Sequence, residues 1–186
     1  HILNPESFWT PYPLPSIAAT DPAFIHSAPE NCWGGATQAL SALRAPRWFE
    51  RYGYFTELDE MMARWLDALA HADEFMQQMA PFTGIFSTSP GYSPAMCVAV
   101  DFISRRHGIQ ETPDGIWWGA VKPPEESRFR LALLSGGSAE IRHQESRSTL
   151  LLNGKKILQT DHCERIKTDH DGRLLSRVLI QQKPEY

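Results

Sequence analysis

The chain has 186 residues, of which 42% are hydrophobic and 22% charged, and its formal net charge is −4. This composition is typical of a globular protein with a packed core, arranged as one large or two small domains. No Lys- or Arg-rich run is present, so a nucleic-acid partner is not expected. No apolar run reaches the roughly 20 residues of a membrane-spanning helix, so no membrane partner is expected. The sequence leaves the cellular compartment open.

The first predicted element is a long loop, "FWTPYPLPSIAATDPAF", at residues 8–24. Proline fixes φ and lacks a backbone donor, so this stretch is predicted to be neither a helix nor a central strand. A loop with so much apolar surface is expected to pack against the protein or to bind a ligand. Its prolines and large aromatic residues are Pro11, Pro13, Pro15, Phe8, Trp9 and Tyr12.

Three helices are predicted between residues 32 and 108. The first covers "GGATQALSALRAPRWFERYG" (34–53), with Pro46 expected to kink or divide it. The second covers "TELDEMMARWLDAL" (56–69), where Thr56 and Asp59 resemble a capping box. The apolar residues of the second helix recur with helical spacing along one face: Leu58, Met61, Met62, Trp65, Leu66 and Leu69.

The third predicted helix lies in "YSPAMCVAVDFISRRHG". Ser93 is its expected N-cap, Pro94 its first residue and Gly108 its stop. The run 95–100 is apolar on every side, so this helix is expected to be buried on most faces. Three helices are too few to close a layer by themselves, which predicts either packing on the second half of the chain or further helices outside it.

After "TPDG" (112–115) the hydrophobic period changes from that of helices to that of strands. Asn153-Gly154 is a strong signal for a two-residue hairpin, and Asp171-Gly172 is a second candidate. We therefore predict a helical domain at 1–110 and an antiparallel β module at 111–186. The widely spaced cysteines Cys32, Cys97 and Cys163 are interpreted as buried free thiols. Neither a metal site nor a cofactor is predicted.

Three segments in this order resemble the end of the six-hairpin glycosidases: "FWTPYPLPSIAATDPAF", "NCWGGATQALSALRAPRWFERYG" and "MAPFTGIFSTSPGYSPAMCVAVDFI". The resemblance is to glycoside hydrolase family 63, the mannosylglycerate-hydrolase-like enzymes and, more distantly, the trehalases. It implies an α+β fold, in which the terminal helices of an (α/α)6 toroid precede a small antiparallel β-sandwich. The implied partners are a glycoside or oligosaccharide substrate and a preceding, missing portion of the same protein.

The reaction that the resemblance implies is hydrolysis of an α-glycosidic bond with inversion, which requires a carboxylic acid and a carboxylate base. The family's acid would lie before His1. The position of the family's base is Gln77, whose amide cannot take a proton from water. Glu74 and Glu30 are the nearby carboxylates considered as alternative bases, although each is also typical of an ordinary surface carboxylate.

The resemblance and the aromatic loop together predict substrate-binding residues, since sugar rings stack on aromatic faces. Trp33 matches the first Trp of the family's "YWRGPTW" segment, Gln38 stands at its second Trp, and Tyr92 precedes the last inner helix. We expect the aromatic members of this set to line one concavity. The full set is Phe8, Trp9, Tyr12, Trp33, Gln38 and Tyr92. Two other hypotheses remain open: a relative that binds carbohydrate without cleaving it, and a structural β domain without a ligand.

Overall fold

The structure is a computed structural model, and it describes residues 1–26 and 33–181. Within these ranges the chain forms three helices and eleven strands, and the strands pair in three antiparallel sheets. The fold is therefore mixed α+β, which confirms the predicted class at this level. The chain divides into two compact units, His1–Asp101 and Phe102–Tyr186. The predicted boundary at 110/111 falls inside the first strand of the second unit.

The first unit combines a long N-terminal loop, helices and a small three-stranded sheet. In chain order its elements are β1 (Thr37–Gln38), α1 (Ala39–Arg51), α2 (Phe55–Ala70), β2 (Gln78–Met79), β3 (Phe86–Ser87) and the first part of α3 (Ser93–His107). The sheet has the order β1-β2-β3. None of the helices in the described ranges is long and apolar enough to cross a membrane.

Helix α2 buries the face that its sequence pattern predicts. Met61, Met62 and Trp65 are buried in the core with Phe49 of α1. The predicted capping box is wrong: the helix begins at Phe55, and the residue before it, Tyr54, makes no side-chain capping bond. Pro46 lies inside α1 without dividing it, and α1 begins later than predicted because residues 37–38 pair as a strand.

Helix α3 is only partly buried. Ala95 and Val98 are fully buried, whereas Met96 and Val100 are 50% and 62% exposed. The expectation of burial on most faces is therefore wrong, because one apolar stripe of the helix faces solvent. Cys97 is exposed on the same helix and Cys163 is partly buried, so the prediction of buried thiols is wrong for Cys97. Cys32 lies outside the described residues.

The second unit contains two four-stranded antiparallel sheets, with orders β11-β10-β5-β4 and β6-β7-β8-β9. Its strands are β4 (Ile109–Thr112), β5 (Gly115–Gly119), β6 (Ser127–Ala132), β7 (Ser138–Gln144), β8 (Arg147–Leu152), β9 (Lys155–Thr160), β10 (Glu164–Thr168) and β11 (Leu174–Leu179). One hydrophobic core takes residues from both sheets, including Trp118 and Ile166 from the first and Ile141 and Leu150 from the second. The sheets thus pack face to face.

Turn chemistry fixes the strand register in this unit. Asn153 and Gly154 adopt φ values of 51° and 76° between β8 and β9, as a two-residue hairpin requires. The "TPDG" segment, interpreted from the sequence as a boundary, is instead the turn of a hairpin, since Thr112 pairs with Gly115. The sheet therefore begins at Ile109, several residues before the change of period that marks it in the sequence.

Candidate functional site

The aromatic-proline loop is part of the first unit and packs against the other elements of that unit. The backbone N–H of Tyr12 donates to the carbonyl of Pro81 at 2.9 Å, and the hydroxyls of Thr10 and Thr37 donate to the Tyr12 carbonyl at 2.8 and 3.1 Å. One guanidinium nitrogen of Arg64 lies 3.1 Å from the carbonyl oxygens of both Thr10 and Pro11. These bonds explain how a segment with three prolines holds one conformation.

Beside this loop lies an open cleft with a volume of about 430 Å³. It brings together Tyr12 and Glu74, two residues that the sequence singled out. The lining also carries two further carboxylates and an imidazole, Asp67, Asp73 and His71, all of which are exposed. The rest of the described lining is Ala68, Ala72, Met76, Thr83, Gly84, Ile85 and Phe86.

The cleft lining combines hydrogen-bond acceptors with an aromatic ring. Exposed carboxylates accept hydrogen bonds from hydroxyl groups, and the half-buried Tyr12 ring presents an apolar surface with a polar end. The Nδ1 atom of His71 lies 2.8 Å from the carbonyl oxygen of Asp67 and is engaged within its own helix end. This combination suits a ligand that carries both hydroxyl groups and an apolar face.

Gln77 lies outside this cleft, in a buried ladder of amides. The Ser89 hydroxyl donates to Oε1 of Gln77 at 3.1 Å, and Nε2 of Gln77 donates to Oε1 of Gln38 at 3.4 Å. Nε2 of Gln38 then donates to Oε1 of Gln78 at 3.0 Å, and Nε2 of Gln78 to the Ser87 hydroxyl at 3.3 Å. The ladder follows the strand register, in which Gln38 pairs with Gln78 and Gln78 with Ser87.

This ladder gives Gln77 and Gln38 a structural role. Buried polar groups are costly unless hydrogen-bonded, and each amide in the ladder has a partner. The spacing between Glu74 and Gln77 is not one helical turn, because both residues lie between the end of α2 and the start of β2. Glu74 is exposed in the cleft while Gln77 is buried. The two positions considered for a base therefore have opposite environments.

The turn that follows β3 is strained. Thr88 and Ser89 have φ values of 62° and 50°, which non-glycine residues rarely adopt and which are especially unfavourable for a β-branched residue. The Thr88 carbonyl accepts the backbone N–H of Gln77 at 3.0 Å, so the turn and Gln77 support each other. The Thr88 hydroxyl is buried without a hydrogen-bond partner. Such strain persists only where the surrounding contacts impose it.

The other predicted site residues lie elsewhere than in the described lining of the cleft. The Trp9 ring packs 6.0 Å from the Phe49 ring, and the Phe8 carbonyl accepts the Leu14 N–H. Trp33 is 49% exposed, and the Tyr92 N–H donates to the Phe75 carbonyl just before α3. Of the five aromatic residues expected in one concavity, this cleft contains Tyr12. Glu30 lies outside the described residues.

Sequence reasoning missed Asp67, His71 and Asp73 as neighbours of Glu74. The available signal was weak: Asp67 and His71 are spaced four apart at the end of a helix, with Asp73-Glu74 soon after. It also missed Arg64, which occupies an apparently ordinary helix position. Only the folded chain shows that Arg64 reaches the carbonyls of the N-terminal loop.

No family model matches the chain, and no curated protein matches it. Among solved structures, it is similar to one described as the crystal structure of an uncharacterized conserved protein from Thermus thermophilus, with 25% identity and a TM-score of 0.45. The likeness covers 52% of this chain and 23% of the other, so the chain spans less than a quarter of that protein's length. The fold and the site therefore rest on this chain's own residues.

Proposed function

We propose that the chain is part of a carbohydrate-active glycoside hydrolase, and that the cleft beside Tyr12 and Glu74 is its contribution to the sugar site. The reaction proposed is hydrolysis of an α-glycosidic bond with inversion. In this proposal residues 1–110 supply the last helices of an (α/α)6 toroid. The remaining helices and the general acid belong to a preceding part of the same protein.

The observation that carries the proposal is the presence of Tyr12 and Glu74 in one cleft. The two residues are far apart in sequence and were singled out on separate grounds, one as an aromatic sugar platform and the other as a substitute base. A stacking face beside exposed carboxylates is a common arrangement in sugar sites, because the sugar has apolar C–H faces and polar edges. The resemblance of the three sequence segments to the six-hairpin glycosidases supports the same proposed function.

In the proposed mechanism Glu74 orients and deprotonates the attacking water, and Tyr12 stacks against the sugar. Gln77 is excluded as a base because an amide has no basic lone pair at neutral pH. Inversion requires a separation of about 6.5–9.5 Å between acid and base, so that a water molecule fits between base and sugar. The acid must therefore project toward the cleft from the preceding part of the protein.

The test is turnover of aryl α-glycosides and α-linked disaccharides by the full-length protein, comparing wild type with Glu74→Gln. We expect Glu74→Gln to lower kcat by about 10²–10⁴-fold, since that is the usual contribution of a general base. Glu6→Gln is the matched control, because Glu6 is exposed and outside the cleft lining. Wild-type turnover that Glu74→Gln leaves unchanged would remove Glu74 from the mechanism.

A second candidate function is binding of carbohydrate without cleavage. The observation that favours it is the burial of Gln77 in the amide ladder, where the family's base would stand. In that case the full-length protein should bind α-glycosides and release no product. Glu74→Gln should change the Kd for the glycoside, and neither protein should show turnover. Measuring binding and turnover on the same glycosides separates the two candidates.

The exposed apolar surface of the first unit supports the proposal that further helices precede this chain. Trp48 on α1 and Tyr52, which directly follows α1, are 43% and 71% exposed, and Met96 and Val100 on α3 are exposed as well. In α3 the two residues are spaced four apart, so they lie on one face. Apolar stripes of this kind usually mark an interface. In a toroid, neighbouring helices would cover them.

A further inference from the structure

We propose that Gly84 and Arg64 are positioning residues that hold the Tyr12 ring as a preorganised wall of the cleft, against which the apolar face of a sugar ring stacks. The inference rests on the proposed function for the identity of the ligand. The inference assigns Gly84 and Arg64 a role in holding the Tyr12 ring, and neither residue takes part in the reaction itself. It also locates the stacking surface at Tyr12 among the aromatic residues of the N-terminal loop.

Gly84 lies directly against the Tyr12 ring. Its backbone has a φ of +71°, and a Cβ atom built there would lie 2.3 Å from Cζ of Tyr12 and 2.7 Å from both Cε atoms. The ring therefore lies against the Cα of Gly84, in space that any other residue would fill. Both residues line the cleft. A glycine is required here for two reasons: its φ is positive, and a side chain would collide with the Tyr12 ring. The collision would displace the ring.

Arg64 fixes the backbone on the N-terminal side of Tyr12. Its guanidinium donates to the carbonyl oxygens of Thr10 and Pro11, the two residues before Tyr12, and is itself paired with Glu60 on the same helix. Arg64 is not among the residues that line the cleft. Because the carbonyls it binds lie directly before Tyr12, losing the guanidinium would loosen the backbone that leads into the ring.

A held aromatic ring favours binding because little conformational entropy remains to be lost when the ligand arrives. A tyrosine ring offers a flat apolar face about the size of a pyranose, and the carboxylates in the cleft lining can accept hydrogen bonds from sugar hydroxyls. The ligand class that fits both features is a neutral pyranoside. The probes are methyl α-D-mannopyranoside and methyl α-D-glucopyranoside.

The experiment compares sugar binding by Gly84→Ala and Gly91→Ala in the full-length protein. Gly91 has a φ of +72° and a Cβ atom there would meet nothing within 4 Å, so the two variants carry the same backbone strain and differ only in the contact with Tyr12. We expect Gly84→Ala to raise the Kd for the probe about tenfold, the equivalent of one aromatic stacking contact, and Gly91→Ala to leave it unchanged.

Arg64 provides a second, independent variant. Arg64→Gln should raise the Kd in the same direction, and Arg64→Lys should restore much of it, since an ammonium can still donate to both carbonyls. The NMR line shapes of a ¹³C-labelled Tyr12 ring provide a readout besides binding. The ring should be restrained in wild type and Gly91→Ala, and mobile or displaced in Gly84→Ala and Arg64→Gln.

The outcomes are distinguishable. If Gly84→Ala and Gly91→Ala bind the sugar equally, or if the Tyr12 ring is equally restrained in both, the positioning roles are refuted while a measured hydrolysis would leave the proposed function intact. If wild type binds neither probe and hydrolyses no α-glycoside, the ligand assignment and the proposed function are both overturned. Selective loss of binding in Gly84→Ala and Arg64→Gln supports the inference.

Discussion

The side-chain amide of Gln77 donates from Nε2 to Oε1 of Gln38 at 3.4 Å, across 39 positions of sequence. By resemblance to the six-hairpin glycosidases, the first position would hold a catalytic glutamate and the second a tryptophan. In this chain both are glutamines, and each is a hydrogen-bond partner of the other. These two glutamines, far apart in the sequence, thus form one local arrangement.

Replacing Gln77 with glutamate tests whether the base position is still usable. A carboxylate cannot donate to Gln38 and places a charge in a buried position, which should cost about 1–3 kcal/mol of unfolding free energy. Because Gln77 is buried outside the cleft and Glu74 is the proposed base, we expect Gln77→Glu not to raise the turnover of the full-length protein. The measurements are turnover and urea unfolding, with the exposed Gln159→Glu as control. A rate well above that of wild type would show that position 77 faces the reaction and that the base is wrongly assigned to Glu74.

The amide ladder predicts a large effect for Gln78, which is fully buried and joins Gln38 to Ser87. Gln78→Ala should lower the free energy of unfolding by about 2–3 kcal/mol, because Gln38 Nε2 loses its acceptor inside the protein. Gln144→Ala, at an exposed strand end, should cost far less. The measurement is denaturant unfolding of wild type, Gln78→Ala and Gln144→Ala. Equal stability of the two variants would mean that the ladder contributes little.

The apolar stripe on α3 predicts how the chain behaves when separated from any preceding part. Met96 and Val100 face solvent, so the 186-residue chain should bind an apolar dye and self-associate. The double variant Met96→Lys with Val100→Lys should reduce both effects. Dye fluorescence and light scattering are the measurements. A monomeric wild-type chain that takes up no dye would show that this surface needs no partner.

His143 makes the stability of the second unit depend on pH. Burial lowers the pKa of His143, a hydrogen bond to the His107 carbonyl opposes that shift, and Lys122 adds to it. The ring lies between that carbonyl, 2.8 Å from Nε2, and the Ser148 hydroxyl, 2.9 Å from Nδ1. As the pH falls below the ordinary histidine value of about 6.5, the unfolded chain takes up a proton that the folded chain does not.

The free energy of unfolding should therefore decrease as the pH falls from about 6.5 through the lowered pKa of the folded state. Urea unfolding of wild type and His143→Gln between about pH 7.5 and about pH 5 measures this slope. We expect the slope to flatten in His143→Gln and to persist in His162→Gln, because His162 is exposed. The same slope in wild type and His143→Gln would refute the assignment.

The fold was predictable where the determining residues are close in sequence. The apolar spacing of α2 and the Asn153-Gly154 turn are local signals, and both correspond to observed elements. The β4–β5 hairpin was missed because "TPDG" follows a helix and reads equally well as a linker. Burial of α3 was overestimated because its apolar run carries no information about which helices surround it.

The site was less predictable because its contacts are long-range. Tyr12 and Glu74 were each recognised as candidates, yet nothing in one sequence indicates that they share a cleft. The bond from Gln77 to Gln38 and the reach of Arg64 to Thr10 depend on how β1, β2 and the N-terminal loop come together. Amide and guanidinium side chains look alike in a sequence whether they are structural or functional, and only their partners separate the two roles.

The central claim, an inverting α-glycosidase of which this chain is a part, is tested most directly by the anomer that is first released from an α-glycoside. Proton NMR of the full-length protein with an aryl α-glycoside resolves the two anomers before they equilibrate in water. We predict that the β-anomer appears first, because a water activated by a carboxylate attacks from the face opposite the leaving group. Initial release of the α-anomer, or no product from any aryl α-glycoside or α-linked disaccharide, would contradict the claim.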